Sequence, residues 1–190
     1  VVFGKDTDTP VNLSDVTAGI GGYRITGAGT GDAVGTIIGT VGDMNGDGRA
    51  EILVGAPNAN GGGLNQGAAY VVFGQASRSV ISLANVARGT GGFAITGQVD
   101  DGAGSAITGL GDVNGDGISD ILVGASRSDS AYVVFGRATT TAVNLTDVAA
   151  GIGGYRIIAE GLGDLDGISV TGGADFNRDG KFDIAYGPFW

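Results

Sequence analysis

One acidic cluster, written three times, dictates what this chain can fold into. The stretch GDMNGDGRAEILVGAP (42–57) returns as GDVNGDGISDILVGAS (111–126) and, more loosely, as GADFNRDGKFDIAYGPF (173–189). The leading aspartates are Asp43, Asp112 and Asp175, giving periods of 69 and 63 residues. Two further markers keep step. VVFG ends at Gly4, Gly74 and Gly136, and an aromatic follows each glycine 19 residues later, at Tyr23, Phe93 and Tyr155. A lone aspartate precedes each cluster by 11 positions, at Asp32, Asp101 and Asp164. Most of the difference in period lies between the acidic cluster and VVFG, where GAPNANGGGLNQGAAYVVFG is seven residues longer than GASRSDSAYVVFG. Insertions settle in solvent-facing loops, so this stretch marks one rim of the molecule.

Each unit offers four short strands, which we label A (GSAITGLG, 104–111), B (DILVGA, 120–125), C (AYVVFG, 131–136) and D (YRIIAE, 155–160). They are rich in β-branched and aromatic residues and separated by Gly/Asp/Asn turns. B and C are continuously apolar, as suits strands covered on both faces. The 40 glycines, about three times the usual share, recur at these turns. The segments VNLSDVTAG, ISLANVARG and VNLTDVAAG read as ordered loops with Leu and Val pinned to a blade edge, in preference to a short helical turn. Four antiparallel strands repeated about every 60 residues predict all-β, β-propeller-type blades. The units divide at about 1–31 (half blade), 32–100 (blade), 101–163 (blade) and 164–190 (half blade). The order C-D, A-B-C-D, A-B-C-D, A-B makes three blades' worth with complementary halves at the two ends. Propellers have about four to eight blades. The chain is therefore a partial propeller within a longer one, or copies associate to complete it.

Within the cluster, Asp112, Asn114, Asp116 and Asp120 occupy positions 1, 3, 5 and 9, with Gly117 at 6 and the Ile118 carbonyl at 7. A loop curling round an ion turns alternate side chains inward, and the glycine allows the sharp turn. The first copy supplies Asp43, Asn45, Asp47, the Arg49 carbonyl and Glu51. The third supplies Asp175, Asn177, Asp179, the Lys181 carbonyl and Asp183. All are hard oxygen donors, which favours Ca²⁺ over zinc or copper, and three sites are expected. Position 12, a glutamate in EF-hands, is Val54, Val123 or Tyr186, and the position-9 acid takes its place as strand B begins. Asp-Asn-Gly turns also occur without an ion. Recurrence in register and the mutual repulsion of three carboxylates favour the metal. The loops hold nine of the 20 acids, so three Ca²⁺ would bring the net charge from −10 to −4. Asp32, Asp101 and Asp164 read as turn caps, and Asp6, Asp8 and Asp166 as solvated surface. Tyr23, Phe93 and Tyr155 read as blade packing, and Arg24 and Arg156 as members of surface ion pairs.

Composition narrows function. A net charge of −10 repels nucleic acid and anionic membranes and attracts cations. With no histidine and no cysteine, the commonest general base and a disulfide framework are both missing. No apolar stretch is long enough for membrane insertion. The chain opens in mid-pattern at Val1, which predicts a natural N-terminus further upstream.

VVFG, a DxNxDGxx[DE] loop and ILVGAP together resemble the FG-GAP repeat, the blade of the integrin α-subunit propeller and of many bacterial surface proteins. The matching residues are Phe73-Gly74 and Phe135-Gly136, then Gly55-Ala56-Pro57, Gly124-Ala125-Ser126 and Gly187-Pro188. The resemblance implies a calcium-stabilised propeller, usually seven-bladed, mainly extracellular or cell-surface, with ions in the A–B loops and partners mostly on the other face. It departs in having three repeats and no inserted adhesion domain, so integrin-type ligand binding does not transfer. The expected function is a non-catalytic, secreted module for protein or glycan interaction, adhesion or scaffolding. The alternatives are an accessory propeller of a secreted hydrolase or lyase, and a subunit of a larger assembly that self-associates or joins other chains.

Overall fold

Short runs of β-branched residues between glycine turns pair with their sequence neighbours, and the computed structural model shows the result. It describes residues 1–59, 65–158, 169–179 and 182–187. The first complete blade comprises β2 (Ile38–Val41), β3 (Glu51–Ala56), β4 (Ala68–Val72) and β6 (Gly92–Thr96). The second comprises β7 (Ala103–Gly111), β8 (Asp120–Ala125), β9 (Ser130–Val134) and β11 (Gly154–Ile158). Both are antiparallel meanders in the order A-B-C-D. Their registers are equivalent, with Ile52 opposite Val72 in one and Ile121 opposite Val134 in the other. The hairpin of β12 (Ser169–Ala174) and β13 (Asp183–Gly187) supplies A and B of a further blade. At the other end a bridge between Val2 and Gly22, followed by β1 (Ile25–Thr26), supplies C and D. The fold is all-β, a partial β-propeller.

The inner strands carry glycine because neighbouring blades meet there backbone to backbone. Strand β7 lies against β2 and β3 on one side and β12 on the other. A Cβ on Gly109 of β7 would lie 2.7 Å from the Thr40 carbonyl, and one on Gly104 would collide with the Ala68 carbonyl. Glycine weakens an isolated strand, yet here it sets the distance between sheets.

The main core fills the space between the two complete blades. Leu53, Val71, Phe93 and Ile95 face Ile121, Val123, Tyr132 and Val134 across it. Each FG phenylalanine meets the D-strand aromatic edge to face, with centroids 5.8 Å (Phe3–Tyr23), 6.3 Å (Phe73–Phe93) and 6.1 Å (Phe135–Tyr155) apart. The constant 19-residue spacing thus reflects a packing contact, as expected for these rings.

The C–D connections correct the loop reading. Each contains a short helix: α1 (Leu13–Thr17), α2 (Leu83–Val86) and α3 (Leu145–Ala149). Leu and Val three residues apart share one helical face, and Leu83, Val86, Leu145 and Val148 are all fully buried. The Asn144 side chain caps α3 by accepting the Thr146 N–H at 2.8 Å. A two-residue strand precedes two of these helices and adds in parallel to the D strand of the previous blade. These are β5 (Ile81–Ser82) on β1 and β10 (Val143–Asn144) on β6. One turn is too short to show helical periodicity, so packing rather than propensity forms it.

Candidate metal loops

The A–B loops join strands that leave the turn in opposite directions, and their first residue organises them. Asp43 Oδ1 accepts N–H groups from Gly46 (2.8 Å) and Asp47 (3.1 Å), while Oδ2 accepts that of Gly48 (2.7 Å). Asn45 then accepts from Asp47 (2.9 Å), and Asp47 from Arg49 (2.9 Å). The second loop repeats the network. Asp112 accepts from Gly115 (2.6 Å), Asp116 (3.1 Å) and Gly117 (2.7 Å). Asn114 accepts from Asp116 and Asp116 from Ile118, both at 2.8 Å. In the third, Asp179 N–H donates to Asp175 (3.1 Å) and Asn177 (2.9 Å). These bonds, led by Gly48 and Gly117, hold the Asp43 and Asp112 carboxyls below their ordinary range.

Position 9 behaves differently. Glu51 and Asp120 are completely buried, and among the described residues neither forms an ion pair. Glu51 accepts N–H groups from Met44 (3.1 Å) and Gly74 (2.7 Å), and Asp120 from Val113 (2.8 Å) and Gly136 (2.7 Å). Gly74 and Gly136 are the FG glycines. The acid therefore braces the loop against the end of strand C, which ties the acidic cluster to the VVFG marker. Burial pushes both carboxyls up, opposed by those same backbone bonds. Asp183 accepts from Phe176 (2.7 Å) and Asn177 (3.2 Å).

Glycine at position 6 takes the left-handed conformation the motif requires, at φ +83° (Gly48) and +86° (Gly117). The motif also needs this geometry at position 4, where Gly46 and Gly115 have φ +79° and +82°. The third loop places Arg178 there, at φ +62°.

All the donors are hard oxygens, suited to Ca²⁺ rather than to softer metals. The first residues of each loop lie close together: Asn114 Nδ2 is 3.0 Å from Asp116, and Asn177 Nδ2 is 3.3 Å from Asp179. Arg49 closes on Asp47 at 3.5 Å, an exposed pair that a cation would compete with. Among the described residues no three acidic side chains converge as a metal cage, because the position-9 acid is drawn toward the FG glycine. Lys181, Asp164 and Asp166 lie outside the described residues.

Asp101 does act as a turn cap, accepting the Gln98 N–H at 2.9 Å, and it also accepts the Tyr132 hydroxyl at 3.3 Å. Among the described residues Arg156 has no acidic partner. Its guanidinium donates to Ser130 Oγ (2.9 Å from Nε) and lies over the Tyr132 ring, 5.9 Å from its centroid. Among the described residues Arg49–Asp47 is the one ion pair, so Arg24 is not in one either.

The FG-GAP repeat model matches residues 34–72 and 103–143, which span strands A to C of both complete blades. Integrin alpha-6 of Homo sapiens is 32% identical over 148 residues, 76% of this chain. The chain belongs to the FG-GAP repeat family. It spans only 12% of the length of that integrin, so the matched part is a piece of its relative's architecture. Within the described residues no helix is long and apolar enough to cross a membrane.

Proposed function

We propose that this FG-GAP segment is a calcium-stabilised, non-catalytic module that works outside the cell or at its surface, presenting loops to a protein or glycan partner. The observation that carries this reading is the loop network. Asp43, Asn45, Asp47 and Glu51 recur with the same bonds at Asp112, Asn114, Asp116 and Asp120. In each loop a calcium ion would take the position-1, -3 and -5 side chains and the position-7 carbonyl of Arg49, Ile118 or Lys181. The position-9 acid, Glu51, Asp120 or Asp183, would complete the set from the strand. The cation would offset the like charges that the loop concentrates. Its binding would then be linked to folding.

Two rims follow from the meander. The A–B loops and C–D connections share one, and the D–A turns and B–C loops share the other. We place the partner on the second rim, where the repeats differ most and blade 1 carries its longer B–C loop. There Arg127 donates to Asn58 (3.3 Å), joining the B–C loops of the two complete blades, and Asn65 donates to Asp100 (3.3 Å), joining the B–C loop to the D–A turn. Calorimetric titration tests the metal reading, with up to three Ca²⁺ bound per chain expected. At a free concentration of about 100 times Kd, each site adds about 2.7 kcal/mol. An unchanged melting curve between EDTA and millimolar calcium would sink it.

A further inference from the structure

We propose that the first complete blade holds a binding site for a small guanidinium compound, in a cavity where the second blade keeps a guanidinium of its own. The inference rests on comparing the two complete blades, and it needs neither the calcium reading nor a partner on that rim.

In the second blade, polar side chains fill the space between the D–A turn and strands C and D. Tyr132 is fully buried, and its hydroxyl donates to Asp101 (3.3 Å) and accepts from Gln98 Nε2 (3.3 Å). Arg156 lies directly across from Tyr132 on strand D. Its Nε donates to Ser130 Oγ (2.9 Å), and its guanidinium sits over the Tyr132 ring, 5.9 Å from the centroid.

The first blade keeps the aromatic and the acid and loses the rest. Tyr70 takes the place of Tyr132, and Asp32 that of Asp101, each acid 11 residues before its cluster. Ala94 pairs across from Tyr70 as Arg156 does from Tyr132. Ala68 stands where Ser130 does, two residues before the tyrosine, and Ala28 where Gln98 does, after the glycine that closes strand D. Three polar side chains are thus replaced by methyl groups. A cavity of about 380 Å³ opens in their place, with Ala28, Asp32, Ala68, Tyr70, Ala94 and Thr96 in its lining. The preceding half blade contributes only its D–A turn, and the second blade shows that no more is needed. Among the described residues, hydrogen bonds reach Tyr132, Ser130 and Arg156 from the preceding blade only through Gln98 and Asp101 of that turn. Further blades on either side therefore leave the cavity in place.

The groups left in the cavity lack partners. Tyr70 is 4% exposed, yet among the described residues its hydroxyl makes no hydrogen bond, and the Asp32 carboxylate makes neither a hydrogen bond nor an ion pair. A buried hydroxyl without a partner is costly, which favours a polar occupant. Burial, and then the Asp32 charge, pushes the Tyr70 pKa up, so the hydroxyl stays protonated beside a carboxylate within electrostatic reach. An aromatic face attracts a cation, and a carboxylate pairs with the planar fork of a guanidinium better than with an ammonium. The volume falls in the range of small-molecule pockets. It has room for the stem of the missing arginine as well as its head, and so for a whole small molecule.

The test is calorimetric titration of the full chain, in millimolar calcium, with propylguanidinium, the arginine side chain without its backbone. One molecule should bind per chain, and the neutral isostere propylurea should bind at least about tenfold more weakly. Ala94→Arg, which restores the arginine of the second blade, should abolish binding while leaving the A–B loops intact. Asp32→Asn should weaken binding about tenfold, and it keeps the test decisive if Ala94→Arg misfolds. No binding of propylguanidinium, equal binding of propylurea, or binding unchanged in the folded variants would overturn the proposal. So would binding of an arginine-bearing peptide without binding of propylguanidinium, which would assign the cavity to a side chain of a protein partner.

Discussion

Asp120→Asn separates the brace from the metal. The Asp120 carboxylate is fully buried and accepts N–H groups from both Val113 (2.8 Å) and Gly136 (2.7 Å). The amide keeps the shape but can accept only one of them, and its NH₂ must face the other donor. One buried N–H is left unpaired, at a cost of about 1–3 kcal/mol. Relief of the buried charge offsets part of this, since burial raises the carboxyl's pKa. The net loss should be about 1–2 kcal/mol, or roughly 2–8 °C in Tm for a chain of this length. Thermal unfolding followed by circular dichroism in EDTA is the assay, because no cation then contributes. A variant that melts with the wild type in EDTA, and falls behind only in calcium, would refute the brace and leave Asp120 a ligand alone.

Arg178→Gly should stabilise the chain by about 1 kcal/mol, because Arg178 holds φ +62° where the other loops have glycine; a denaturant midpoint that does not rise would count against it. Leu145→Ala should cost about 2–5 kcal/mol by urea titration, since its side chain is fully buried. Leu13→Ala should change the same midpoint far less, because Leu13 is 70% exposed. Stability in EDTA should depend on pH in two opposed steps. Glu51 and Asp120 have raised pKa values, so their ionised forms cost stability that acidification returns as each passes its folded pKa toward the ordinary value. Asp43 and Asp112 have lowered values, so their contribution is present above the ordinary carboxylate value of 3.8 and is lost as pH falls through the folded one. Melting temperature should therefore peak on the mildly acidic side, and in Glu51→Gln the rise toward that peak should shrink.

The blades were legible because three independent markers repeated in step. Strands A to D of the second blade fall where hydrophobic runs between glycine turns place them, and the FG phenylalanine meets its D-strand aromatic at a constant interval. The helices were not legible, because a single turn carrying Leu and Val at i and i+3 looks the same as a pinned loop until both are seen buried. Arg156 was misread for a related reason. Its partners, Ser130 and the Tyr132 ring, lie on the neighbouring strand, and a search for acids in sequence passes over a hydroxyl and an aromatic face. Position 4 of the loop was missed because glycine there repeats in only two copies, and Arg178 hides the rule.

The buried acid changes what the repeat is for. Carboxylates in a loop are usually explained by the ion they hold, and the positions 1, 3 and 5 fit that explanation while lying at the surface. Glu51 and Asp120 need more than that explanation, since burial of an unpaired carboxylate is costly and each is held by backbone N–H groups as well. One of those groups belongs to the loop and the other to the FG glycine, so the acid fixes how the A–B turn meets the end of strand C. A glycine is needed at that end because the approach is close: a Cβ on Gly74 would lie 2.6 Å from the Ala50 carbonyl. Acid and glycine are thus two halves of one contact, about 16 to 23 residues apart in sequence. Calcium would then tighten a turn whose direction the brace has already set.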